Sequence, residues 1–110
     1  MHGNARVQAA IQEIVRRLVA DLRPHAIILF GSHAYGEPDA DSDIDLLIIR
    51  PTAEGFLERI AGARRVATGA QPRIPFDPIV LTPREVEQRL RAGDQFIAEI
   101  VRRGEVLYAA

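Results

Sequence analysis

The sequence predicts a small α/β domain, with two or three central strands and helices packed against them. Three observations predict it. Apolar residues recur at spacings of three and four from Val7 to Leu22 and again after Gly93. The short apolar runs AIILF (26–30) and DIDLLII (43–49) are bounded by turn residues, as buried strands are. Helical and strand segments alternate along the chain, the pattern of layered α/β architecture.

The elements follow in order. Val7, Ile11, Ile14, Val15, Leu18, Val19 and Leu22 form one stripe, with Gln12, Glu13, Arg16 and Arg17 opposite, so a helix runs to Leu22 and stops before Pro24. Ala26–Phe30 reads as a buried strand closed by Gly31-Ser32. An acidic, Gly- and Pro-containing loop leads to Asp43–Ile49, which alternates and then becomes wholly apolar like a central strand. A weaker helix over about Thr52–Arg65 carries Phe56, Leu57 and Ile60 inward, with Gly55 and Gly62 working against it. VATGAQPR reads as turn. Ile74–Leu81 is strand-like, and Pro75 and Pro78 push it to a sheet edge. Thr82-Pro83-Arg84-Glu85 combines a capping box with proline at the first helical position, starting a helix to about Arg91. Another runs from Gly93-Asp94 to Gly104 with Phe96, Ile97, Ile100 and Val101 on one side, and Glu105–Tyr108 forms a last edge strand.

Composition bounds the function. The 110 residues imply one domain, 1–110, and the 47% apolar content is enough for a core. A formal net charge of -1 argues against binding nucleic acid by bulk phosphate neutralisation. All 14 basic residues are arginine, so lysine-based covalent chemistry is excluded. The absence of cysteine excludes disulfides, thiolate metal sites and thiol nucleophiles. No run approaches the ~18 apolar residues of a membrane span, so a cytoplasmic protein is expected.

The charge pattern is less even. Between Glu37 and Asp45 stand five acids and no base. On a strand, Asp43 and Asp45 point to the same side, and Ile44 and Leu46 to the other. Carboxylates that close repel unless a cation compensates them. No arginine lies between Glu37 and Ile49, so either a distant arginine folds back or a divalent ion fills the gap. Carboxylate oxygens are ligands that Mg2+ prefers, and Mg2+ commonly arrives with phosphates. Twelve residues before Asp43, Gly31 stands with Ser32 at the exit of a buried strand, where amides and a hydroxyl can cradle a phosphate. Asp77 is alone among Ile74, Phe76, Ile79, Val80 and Leu81. Three carboxylates can hold two cations roughly 3.5–4 Å apart.

Gly31-Ser32, ten intervening residues and Asp43-Ile44-Asp45 resemble the GS-x10-DxD signature of the nucleotidyltransferase superfamily that includes DNA polymerase beta. The whole stretch GSHAYGEPDADSDIDLLI resembles its minimal nucleotidyltransferase (MNT) branch, and the resemblance extends over nearly the entire chain. It implies a minimal nucleotidyltransferase fold, a short mixed sheet with flanking helices. It further implies that Gly31 and Ser32 hold the terminal phosphates of ATP. Asp43 and Asp45 would coordinate two Mg2+ ions, and Asp77 would bind the catalytic cation and help deprotonate the acceptor. Tyr35 stands where members often carry a basic residue, which puts the acceptor in question. The reaction implied is AMP transfer from Mg2+–ATP to a hydroxyl. The partner implied is a small helical HEPN-type ribonuclease toxin, modified on a tyrosine, with this chain as antitoxin.

Two other readings compete with it. One is a non-catalytic antitoxin that neutralises by occlusion, and the other is a nucleotidyltransferase acting on a small-molecule or RNA hydroxyl. Self-association is a further expectation, from apolar surface that a small sheet leaves uncovered. Among single residues, His33 is expected to cap the turn after Ser32 or meet water, and His2 and His25 to lie on the surface. Tyr35 and Tyr108 read as packing. Arg64-Arg65 and Arg102-Arg103 read as solvated helix faces.

Overall fold

The computed structural model describes residues 5–39, 42–70 and 74–110. Its elements are α1 (Ala5–Leu22), β1 (Ala26–Phe30), α2 (Ser32–Tyr35), β2 (Ile44–Ile49), α3 (Phe56–Ala67), β3 (Phe76–Leu81), α4 (Pro83–Arg91), α5 (Gln95–Arg103) and β4 (Glu105–Ala109). The fold is α/β with a short mixed sheet, as predicted; its four strands run in the order β3-β2-β1-β4, with the expected last strand at one edge. β1 is antiparallel to β2 and to β4, while β2 and β3 are parallel. The parallel pair needs a crossover, which α3 supplies. β3 is an edge strand, so Pro78 costs the sheet no interior hydrogen bond.

Alternation along the strands splits the core into two layers. On one face Ile27, Leu29, Ile44, Leu46, Ile48 and Val80 pack with Ile11, Ile14 and Leu18 of α1 and Ala63 and Ala67 of α3. On the other, Ile28, Phe30, Leu47 and Leu81 pack with Ile97 and Ile100 of α5. The α1 stripe is therefore the expected one. Its helix ends at Leu22, with Arg23 in the left-handed region at φ 48°.

The second helix departs from expectation. It begins at Phe56 with Gly55 as its cap, and Phe56 and Leu57 stay 56% and 78% exposed. Its buried positions are Ala63 and Ala67, whose small side chains suit close approach to α1 and the sheet. Residues 71–73 of the expected turn lie outside the described residues, as does His2. His25 is exposed, as expected.

The capping box at α4 is present in full. The Glu85 N–H donates to Thr82 Oγ1 at 3.1 Å, and the Thr82 N–H donates to Glu85 Oε1 at 2.8 Å. α5 opens on Asp94, whose Oδ1 accepts from the Ile97 N–H at 3.0 Å. Of its apolar set, Ile97 and Ile100 are buried, while Phe96 and Val101 remain exposed.

Candidate functional site: three carboxylates beside a glycine-serine turn

The register of the sheet builds the site. Phe30, the last residue of β1, pairs with Asp45 of β2, so the chain leaves the sheet at Gly31 directly beside that carboxylate. Gly31 has φ 74°, and a Cβ at this position would overlap Asp45 Oδ2. Only glycine meets both demands. The N–H groups of Ala34 and Tyr35 then donate to the Gly31 carbonyl, each at 3.0 Å, closing the single turn of α2. The amides of Ser32 and His33 precede these bonds and start the turn without intrahelical acceptors, which is the geometry that receives an anion.

Asp45 and Asp77 are register partners on the parallel strands. Asp43 stands one residue before β2, and strand alternation aims it to the side of Asp45. One oxygen from each of the three carboxylates lies within 4.8 Å of the others. Asp43 and Asp77 are exposed, and Asp45 is partly buried. Burial first, and then the charges of Asp77 and Asp43, push the Asp45 carboxyl up to about 6, with His33 pulling the other way. The three acids are thus short of positive charge, and their donor set is all hard oxygen. That set fits a divalent cation such as Mg2+.

One cation does reach the cluster from outside the acidic segment. Arg64 of α3 places Nη2 3.5 Å from Asp77 Oδ1, and its Nε donates to the Phe76 carbonyl at 3.4 Å. Arg64 is solvent-exposed, as expected, and is paired as well. Both side chains of the pair are 56% exposed, so water screens the contact and it offsets only part of the repulsion. No local signal announces it, because it depends on the crossover laying α3 beside β3.

His33 also departs from expectation. It neither caps the turn nor meets water: it is 1% exposed, with Nε2 3.0 Å from the Ser42 carbonyl. Tyr35 does pack into the core, and the Arg103 guanidinium lies 4.5 Å from its ring centroid. The sequence treats that arginine as solvated, and only the return of α5 across this face brings it to Tyr35. Tyr108 packs against the core on the opposite face, beside a groove of about 500 Å3 between α1 and β4.

Sheet order, glycine-serine turn and carboxylate cluster together define a nucleotidyltransferase-type domain, and comparison with known proteins agrees. Residues 10–104 match the family described as "Nucleotidyltransferase domain". The chain belongs to that family. Among solved structures it is similar to a protein from Sulfolobus solfataricus described as a "putative nucleotidyltransferase". The two share 24% identity with a TM-score of 0.55, over 78% of this chain and 81% of that one. This likeness is one of fold. No curated protein matches the sequence. Among the described residues, no helix is long and apolar enough to cross a membrane.

Proposed function

We propose that this chain is an adenylyltransferase antitoxin, moving AMP from Mg2+–ATP to a hydroxyl, a tyrosine, of a small helical HEPN-type ribonuclease toxin. The observation that carries the reading is the convergence of Asp43, Asp45 and Asp77 beside the Gly31–Ser32 turn. Gly31 and Ser32 hold the β- and γ-phosphates through amides and hydroxyl. Asp43, Asp45 and Asp77 would hold two Mg2+ ions. The bound metal would supply charge neutralisation on the phosphates and a lowered pKa for the acceptor hydroxyl. Asp77 accepts the acceptor's proton. A bond forms between the acceptor oxygen and the α-phosphorus, the bond from that phosphorus to the bridging oxygen breaks, and pyrophosphate leaves. Positioning and charge neutralisation provide most of the rate.

A protein acceptor suits the surface around the site. α5 flanks the carboxylate-bearing face and leaves Phe96 and Val101 exposed, apolar area that a helical partner would cover. Co-expression with the product of the neighbouring gene, followed by intact masses with and without Mg2+–ATP, tests the reading. A complex whose partner gains one AMP supports it, and the gain should vanish in Asp45→Asn. A complex with no added mass favours occlusion. Absence of both a complex and an added mass defeats the antitoxin reading and returns attention to small-molecule acceptors.

A further inference from the structure

His33 is the one buried polar side chain among the described residues, and the chemistry of the carboxylates gives it no part. Its contact is specific. The Ser42 carbonyl can only accept, so Nε2 carries a proton and donates to it across 3.0 Å. Nδ1 is buried and without a hydrogen-bond partner. A buried polar atom left unpaired is a cost to the fold. A leucine would fill similar space without that cost. What leucine cannot do is donate to Ser42.

Ser42 is the residue that this bond would govern. Its N–H donates to the Asp39 carbonyl at 3.2 Å, and its Oγ accepts from the Asp39 N–H at 2.9 Å. It stands immediately before Asp43, which lies outside the strand ladder, whereas the Ile44 N–H is already fixed to the Pro75 carbonyl at 2.8 Å. Asp45 and Asp77 are held by the sheet register. Asp43 is the exposed member of the cluster that no strand pairing holds.

We infer that His33 is a positioning residue, a clip from the turn after Ser32 to the loop before Asp43. By donating to the Ser42 carbonyl it fixes Asp43 at the distance from Asp45 and Asp77 that cation binding needs. One residue thereby couples the phosphate-binding turn to the metal-binding acids. The inference rests on the metal-site reading above and extends it to a residue that touches neither phosphate nor metal.

Two variants separate the clip from mere packing. His33→Leu keeps volume and loses the donor, and His33→Gln places an amide N–H at about the reach of Nε2. Mn2+ affinity, measured by calorimetry on the intact chain without nucleotide, should fall roughly tenfold in His33→Leu, in the range seen when groups supporting metal ligands are removed. It should return to within about threefold of wild type in His33→Gln. Exchange of the Ser42 amide, which donates to the Asp39 carbonyl, should quicken in His33→Leu alone. Wild-type Mn2+ affinity in His33→Leu, even with a lowered melting temperature, would reduce His33 to packing and overturn the inference. Loss in both variants alike would also overturn it. Failure of the wild type to bind Mn2+ would sink the metal-site reading instead. The clip itself would then stand or fall on whether His33→Leu changes Ser42 amide exchange.

Discussion

Acids gather at both ends of the parallel pair β2 and β3, the one at the C-terminal end standing on α4, and the two ends treat them oppositely. At the C-terminal end, Glu85 is gripped by Arg59 at 2.6 and 3.2 Å, and its Oε1 also accepts from the Thr82 N–H. The Arg59 guanidinium, then the Thr82 backbone, holds the Glu85 carboxyl below the usual carboxylate range. At the N-terminal end, Asp45 faces Asp77 and Asp43, and its carboxyl is pushed up to about 6. One end is a finished joint between α3 and α4. The other is a concentration of charge that the protein's own side chains leave largely unanswered, which is how a site that receives a cation differs from a structural ion pair.

Breaking each end separately should give opposite results. The largest effect belongs to Asp45→Asn, which should lower nucleotidyl transfer by about 10²–10³-fold while leaving the metal-free melting temperature unchanged or higher. A transfer assay beside thermal melts checks it. A variant that melts far below wild type yet keeps full activity would make Asp45 structural. Glu85→Ala should do the reverse. It removes both a helix cap and an ion pair, costing about 1–2 kcal/mol and roughly 10 °C in melting temperature, with activity at permissive temperature retained.

Acid sharpens the contrast through the signs. Asp45 binds its proton more tightly in the folded state, so the metal-free protein loses stability from this group as pH rises from 3.8 to about 6. Glu85 binds its proton less tightly when folded, so its contribution is present above the unfolded value and is lost as pH falls through the lowered one. Asp45→Asn should therefore melt a few degrees above wild type at pH 8, with the gap closing near pH 4. A gap independent of pH would break the assignment.

The smallest effect is expected at Arg64, whose contact with Asp77 is exposed on both sides. Arg64→Ala should change stability by no more than about 0.5 kcal/mol. Mg2+ affinity should rise by a small factor, because the guanidinium competes with the cation for Asp77.

Much of this site is legible in the sequence because it is built from local geometry. A period of two aligns Asp43 with Asp45, and Gly31-Ser32 closing an apolar run announces the turn at Gly31. The α1 stripe is legible for the same reason, since its periodicity is contained in one helix. What escapes the sequence depends on the crossover and on burial. Arg64 and Arg59 find their acids only because α3 is laid beside β3 and α4. Phe56 and Leu57 read as inward-facing, yet Gly55 starts the helix there and the close packing is made further along, at Ala63 and Ala67. His33 reads as a turn residue with a polar tip, and nothing local shows that Ser42 comes back to meet it.

Calorimetric titration of the protein with ATP, in the presence and absence of Mg2+, tests most directly whether the acids at 43, 45 and 77 form a cation site for a nucleotide. The account predicts binding at least tenfold tighter with the cation present, and loss of that gain in Asp45→Asn. Equal affinity for ATP in both conditions would contradict it.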